Sequence, residues 1–327
     1  MNKMKDIVPK LPLELIEAEL TTDKFLRETN KGGNQIYIVT ALNSPNIFHE
    51  IGRLREVTFR RAGGGTGLET DIDFYDTCEV PYKQLIVWDP DAKEILGGYR
   101  YLLGNNLSYD EKGEPNLATA HLFHFTEKFK TEYLPYTIEL GRSFVQPDYQ
   151  SSKAGAKALY ALDNLWDGLG ALTVDHPEMK YFFGKVTMYT HFNIEARNYI
   201  LAFLKKYFND HEELVYPREK FLINIDFSKA EKVFIHNNIK DDYKILSKKV
   251  RELGENIPPL VNAYMNLSPS MRSFGTAVND TFGDVEETGI IVTIKDIYEA
   301  KRDRHIKTYI GPKDRSKLYR FIKRLHR

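Results

Sequence analysis

Two short segments carry side chains of the kind that move protons or hold anions. In Thr137–Val145 (TIELGRSFV), Glu139 and Arg142 stand three residues apart within a β-branched, apolar run. Residues three apart on a strand face opposite sides of the sheet, so the two share a face only if a bulge intervenes, and Gly141 is a plausible bulge site. The second segment, Thr70–Asp76 (TDIDFYD), gathers Asp71, Asp73 and Asp76, with Arg55 before it and Arg100 after it. A guanidinium fork pairs with carboxylates through two parallel hydrogen bonds. These groups therefore either shape a pocket as an ion-pair network or order the loop by pairing with Arg55, Arg60 and Arg61.

Other candidates carry less chemistry. His121 and His124 in HLFH are three apart, but no acidic or cysteine ligand stands at metal spacing, and no zinc site is expected. His191, in TMYTHFN, is a reserve base. The run Gly63-Gly64-Gly65-Thr66-Gly67 matches neither GxGxxG nor GxxxxGK[ST] and follows a helix, so it is read as a connection or lid rather than a phosphate cradle. No Gly-x-Ser-x-Gly elbow occurs, which argues against an acyl-serine intermediate.

The elements that must position these residues follow from periodicity. Short helices are expected over Leu11–Leu20 and Asp23–Arg27, and longer ones over Asn46–Arg60, Gly155–Leu169, Ile194–Tyr207 and Lys240–Leu253. Strands are expected at Ile36–Thr40, Lys83–Asp89, Glu94–Leu103, Thr137–Val145, Tyr181–Met188 and Gly289–Asp296. The turn Pro90-Asp91-Ala92-Lys93 makes Lys83–Leu103 a hairpin. A hairpin, a third strand, then helix, strand and helix give an α/β chain with a mixed sheet rather than a doubly wound one.

Composition sets outer bounds. Hydrophobic residues make up 42% of the 327 and charged residues 28%, enough for a substantial core. Cys78 is the only cysteine, so no internal disulfide forms, as fits a reducing compartment. The N-terminus lacks the apolar run of a signal peptide, and no stretch reaches membrane-span length; a cytoplasmic location is expected. The net charge of zero conceals eleven Lys/Arg against two Asp/Glu in residues 301–327, a local +9 that leaves the body at −9. Leu318, Phe321, Ile322 and Leu325 fall at helical spacing there. Such a helix would lie on an anionic membrane surface, dock an acidic protein, or pack on its own domain with its charges in water. The acidic body argues against nucleic acid.

Taken in order, LREVTF (54–59), TDIDFYD (70–76), LGGYRYLL (96–103) and IELGRSFVQPDYQ (138–150) resemble the acyl-carrier-dependent branch of the GNAT superfamily. That branch includes the ornithine- and glycine-lipid N-acyltransferases, often labelled hemolysin-like, and more distantly the acyl-homoserine-lactone synthases. The later segment LGENIPPLVNAYMNLSP (253–269) is similar to one in the lipid-forming members. The resemblance spans roughly residues 45–296. It implies a GNAT-like domain there, a lead-in with a first strand over 1–44, and a basic tail over 297–327.

The resemblance implies a GNAT-like, largely antiparallel sheet flanked by helices. It also implies transfer of a long, 3-hydroxylated fatty acyl group from acyl carrier protein to the amine of glycine or ornithine, for aminolipid synthesis. The co-substrate would be a phosphopantetheine thioester, with acyl-CoA the less favoured donor and no resident cofactor. A peripheral position at the inner membrane face goes with it. The implied catalytic set is Glu139 as general base, Arg142, Arg100, Asp73 and Arg55, with Phe59, Asp71 and Asp76 around the acceptor. Phe144, Val145, Ser152, Lys153 and Gly155 would bind the donor, although Lys153 stands where GNAT loops carry their first glycine. Tyr199 would protonate the leaving thiolate. The alternatives are an acyl-homoserine-lactone-type synthase and a GNAT-shaped module that binds lipid or protein without catalysis. A pore-forming hemolysin is disfavoured, for want of a secretion signal or membrane segment.

Overall fold

The computed structural model describes residues 4–150 and 156–312. Along the chain the elements are helix α1 (Leu13–Glu17), strands β1 (Phe25–Glu28) and β2 (Gln35–Val39), helices α2 (Pro45–Arg61) and α3 (Phe74–Thr77), and strands β3 (Lys83–Asp89), β4 (Glu94–Leu103), β5 (Phe123–Phe125) and β6 (Thr137–Val145). Then follow α4 (Ala156–Asp175), β7 (Tyr181–Met188), α5 (Ile194–Tyr207), β8 (Val215–Pro217), α6 (Ser228–Glu231), α7 (Ile239–Glu252), α8 (Pro259–Met265), β9 (Arg272–Asn279), β10 (Val285–Thr293) and α9 (Glu299–His305).

Eight strands form one sheet in the order β1-β2-β3-β4-β6-β7-β10-β9, and β5 pairs separately with β8. Every neighbouring pair in the large sheet is antiparallel except β6 and β7. This is a mixed α/β architecture, largely antiparallel and flanked by helices, as in a GNAT-like fold. Two local expectations need correction. A short helix is expected over Asp23–Arg27, but Phe25–Glu28 pairs with β2, so sheet pairing overrides local helix propensity there. The last strand begins at Val285, ahead of the expected Gly289, because its hairpin with β9 starts there.

The parallel β6–β7 pair is the feature that matters most. Its register runs only from Thr137 opposite Tyr181 to Leu140 opposite Gly184. Beyond that point both strands continue without pairing to each other, so the sheet opens between them. Gly184 sits at the parting: a Cβ there would lie 2.6 Å from the Leu140 carbonyl oxygen. Only glycine lets the two backbones come that close immediately before they separate.

Strand alternation assigns the faces. Ile138, Leu140, Phe182 and Val186 pack into a core shared with α4, α5, α7 and α8. On the opposite face Phe183 joins a cluster containing Tyr82, Leu117 and Phe129, while α2 packs a third core through Ile47, Ile51, Leu54 and Phe59. Among the described residues no helix is long and apolar enough to cross a membrane.

Candidate active site

A bulge reshapes β6 where the sheet opens. Gly98 pairs with Phe144 but Arg100 pairs with Gly141, so Arg142 and Ser143 together oppose Tyr99. Arg142 takes up the distortion with φ +51°, in the left-handed region that a residue with a Cβ rarely occupies. The bulge therefore falls one residue beyond Gly141. Its effect is the one the spacing required: Glu139 and Arg142 line the same cavity, together with Phe59, Arg100, Thr119 and Lys185. Glu287 and Phe282 of the β9–β10 hairpin complete that end, and Leu260 and Tyr264 of α8 close the cavity from the other face.

Glu139 is 2% exposed and fully engaged. One carboxylate oxygen accepts from the Tyr82 hydroxyl. The other accepts from the Thr119 amide at 3.1 Å and the Thr119 hydroxyl at 2.7 Å. Burial nevertheless pushes its pKa up to about 8, against the pull of Lys185 and the Thr119 N–H, with Asp73 adding to the rise.

The acid–arginine network lies on the same face. Arg55 and Arg100 both reach Asp76, at 3.1 and 3.0 Å, and all three side chains are buried. Arg55 also donates to Gln84, whose amide returns a bond to Asp76 at 3.0 Å. Desolvation opposes ionisation of Asp76, but Arg100 and Arg55 hold its carboxyl well below the usual range. Asp73 caps α3, receiving the Asp76 amide, and takes Arg100 at 2.7 Å. Asp71 pairs with Arg142 at 2.8 Å; burial pushes Asp71 upward while Arg142 opposes that rise. The Arg142 guanidinium lies 4.0 Å from the centre of the Phe282 ring. The Asp and Arg residues picked from sequence thus do meet. Only Arg100 and Arg142 line the cavity, while Arg55 and Asp76 form the buried layer beneath.

Several assignments move. Phe144 is a core side chain beneath α2, and neither it nor Val145 lines the cavity, because the bulge swaps the strand's alternation ahead of them. Tyr199 is directed toward Glu195 of its own helix, 3.5 Å away, in a separate recess with Asn198 and Lys229. The tyrosine that does line the cavity is Tyr264, from the IPPL segment, packed edge-on against Trp166. Ser152, Lys153 and Gly155 lie outside the described residues, as does the amphipathic stretch Leu318–Leu325. The glycine run Gly63–Gly67 is tied rather than loose: Thr66 N–H and O–H and Gly67 N–H all donate to the Glu56 carboxylate at 2.8–3.1 Å.

Six contributors escaped the sequence reading: Tyr82, Thr119, Lys185, Tyr264, Phe282 and Glu287. Lys185 pairs with Glu287 at 2.6 Å, and Asn279 donates to the same carboxylate at 2.9 Å. Burial opposes ionisation of Glu287, yet Lys185, Arg142 and Asn279 hold it below the usual range. A lysine in the otherwise apolar strand YFFGKVTM was the available signal. Thr119, a loop residue, gave none.

Comparison with known proteins follows this geometry. The model of the acetyltransferase (GNAT) domain matches residues 54–160. A glycine N(alpha)-acyltransferase of Bacteroides thetaiotaomicron is 61% identical over 307 residues, covering 94% of this chain and 91% of that protein. One from Phocaeicola vulgatus is 58% identical over 307 residues, covering 94% of both. Among solved structures, the CoA-dependent acyl-homoserine lactone synthase BjaI, with SAM and isopentyl-CoA, aligns over 83% of this chain and 89% of its own at 12% identity and TM-score 0.34.

Proposed function

The chain belongs to the glycine N(alpha)-acyltransferase family and is an acyltransferase enzyme; from that premise we propose that it transfers a long fatty acyl group from acyl carrier protein to the amine of glycine. The observation that carries this reading is the buried Glu139, pushed up to about 8, in the cavity where β6 and β7 part. A base with that affinity suits an ammonium acceptor, which must lose a proton before it attacks.

The acceptor enters on the face of the acid–arginine network. Its carboxylate takes the Arg142 N–H groups left over by Asp71, which holds Nε, and by Asp73, 3.8 Å from Nη2, with Arg100 and Lys185 as the other cations in the cavity. Its ammonium proton passes to Glu139 by way of the Thr119 hydroxyl, which already donates to that carboxylate. The thioester arm reaches the opening from the α8 face. There the unpaired edge of β6 over Gly141–Val145 offers backbone N–H groups to the carbonyl oxygen as charge builds on it. The C–N bond forms, the C–S bond breaks, the departing thiolate takes a proton from Tyr264, and the second amine proton, released as the amide forms, restores the Tyr264 phenol. Burial pushes the Tyr264 phenol up, so it is protonated before the reaction.

A mass-spectrometric product screen tests this directly. Purified protein is offered acyl- and 3-hydroxyacyl-carrier-protein and acyl-CoA, each with a panel of amino acids. An N-acylglycine that disappears with Glu139→Gln supports the reading, and its acyl chain reports whether the 3-hydroxy group is preferred. Product on another amino acid overturns the acceptor, and no product from any carrier donor overturns the donor.

A further inference from the structure

Helix α7 presents a basic side to solvent. Lys240, Lys244, Lys248 and Arg251 stand four, four and three residues apart, which places them on one side of the helix, and all four are exposed. The opposite side of α7 is anchored in the core through Leu246 and Val250. Asp241 partners Lys244 at 2.9 Å, and Glu252 is shared between Lys248 and Lys249 at 3.8 and 2.9 Å. Lys240 and Arg251 have no acidic partner among the described residues. A shallow groove of about 590 Å³ runs along this side, lined by Tyr243, Lys244, Ser247, Lys248, Arg251 and Glu252.

Position joins this surface to the cavity. Tyr243, in the groove, donates its hydroxyl to Asn262 of α8, and α8 supplies Leu260 and Tyr264 to the cavity wall. The Tyr243–Asn262 bond thus links the groove on α7 to the helix that walls the cavity. The acceptor face has no such basic excess, since Asp71, Asp73, Asp76 and Glu287 there are matched by Arg55, Arg100, Arg142 and Lys185. An acidic partner is thus drawn to the α7 side.

We propose that the basic side of α7 docks an acidic carrier protein bearing the acyl thioester, so that its prosthetic arm enters over α8. The proposal rests on the carrier-dependent reading above, and the test separates the two. The full chain and a Lys244→Glu/Lys248→Glu/Arg251→Glu variant are assayed with acyl-carrier protein and with acyl-pantetheine, a donor lacking the protein. Docking on α7 predicts that KM for the carrier rises about tenfold or more, with a flatter dependence on ionic strength. Turnover of acyl-pantetheine and the melting temperature stay at wild-type values. An unchanged KM for the carrier overturns the docking site while leaving the carrier-dependent reaction standing. Equal losses with both donors overturn it too, since the effect is then not one of docking. A wild-type protein that uses acyl-pantetheine but never the carrier refutes both readings.

Discussion

Replacing Glu139 by glutamine removes one ionisation and little volume, and its consequences can be worked out from the site. As a base, Glu139 acts in its deprotonated form. With its pKa at about 8, roughly a tenth of the enzyme is in that form at pH 7 and nine-tenths at pH 9. Turnover under saturating donor and acceptor should therefore rise about tenfold between those values. Glutamine cannot take the proton, so Glu139→Gln should lower kcat by ~10²–10⁴ and flatten this limb. Stability supplies an independent readout. Between the ordinary carboxylate range and about 8, native Glu139 holds a proton that the unfolded chain has lost. Stability therefore falls with rising pH across that window, by up to ~1.4 kcal/mol per pH unit from this group alone. The glutamine variant should lose that slope. Thiol release followed from pH 6 to 9, beside urea unfolding over the same range, measures both. Wild-type turnover in the variant, or a flat wild-type profile between pH 7 and 9, would refute the assignment of the base.

The remaining expectations are more local. Arg142→Lys keeps the charge opposite Asp71 but loses the fork, so KM for glycine should rise by ~10–100-fold with a smaller change in kcat; steady-state kinetics with varied glycine decides this. Tyr264→Phe should lower kcat by ~10²-fold while Tyr199→Phe leaves it unchanged, and the reverse order would return the acid to α5. Asp76→Asn leaves Arg55 and Arg100 buried without their shared carboxylate and should cost about 3–5 kcal/mol in urea unfolding. Gly184→Ala brings a Cβ within 2.6 Å of the Leu140 carbonyl oxygen and should cost about 1–3 kcal/mol, with a lowered Tm.

The strands around the site were legible because each is a continuous apolar run bounded by turn residues. Lys83–Asp89, Glu94–Leu103, Thr137–Val145 and Tyr181–Met188 appear with the bounds that their composition suggests. The pairing of Asp71, Asp73 and Asp76 with Arg55, Arg100 and Arg142 was legible in kind, since so many opposite charges near apolar strands have few other ways to be buried. Which partner meets which was not, because it depends on the turn of α3 and on the bulge. Phe25–Glu28 was missed because its partner strand, not its own residues, makes it extended. Tyr199 was chosen by its place on a helix, whereas Tyr264 reaches the cavity because α8 packs across the opening. No local pattern announces that contact, as it joins residues more than a hundred positions apart in the chain.

The bulge at Arg142–Ser143 ties these features into one device. A regular β6 would direct Glu139 and Arg142 to opposite faces, separating the proposed base from the cation proposed to hold the acceptor. The extra residue brings both to one face, and Asp71 and Phe282 hold Arg142 in a backbone conformation that it would otherwise avoid. The same stretch of β6 has already left β7, so its outer edge is unpaired where a thioester carbonyl needs donors. On the proposed reading, acceptor and donor thus reach one point from opposite faces of a single sheet. The carboxylates of the acceptor face stay paired with Arg55, Arg100, Arg142 and Lys185, so on the proposed reading the opening takes an ammonium from one side and a thioester arm from the other.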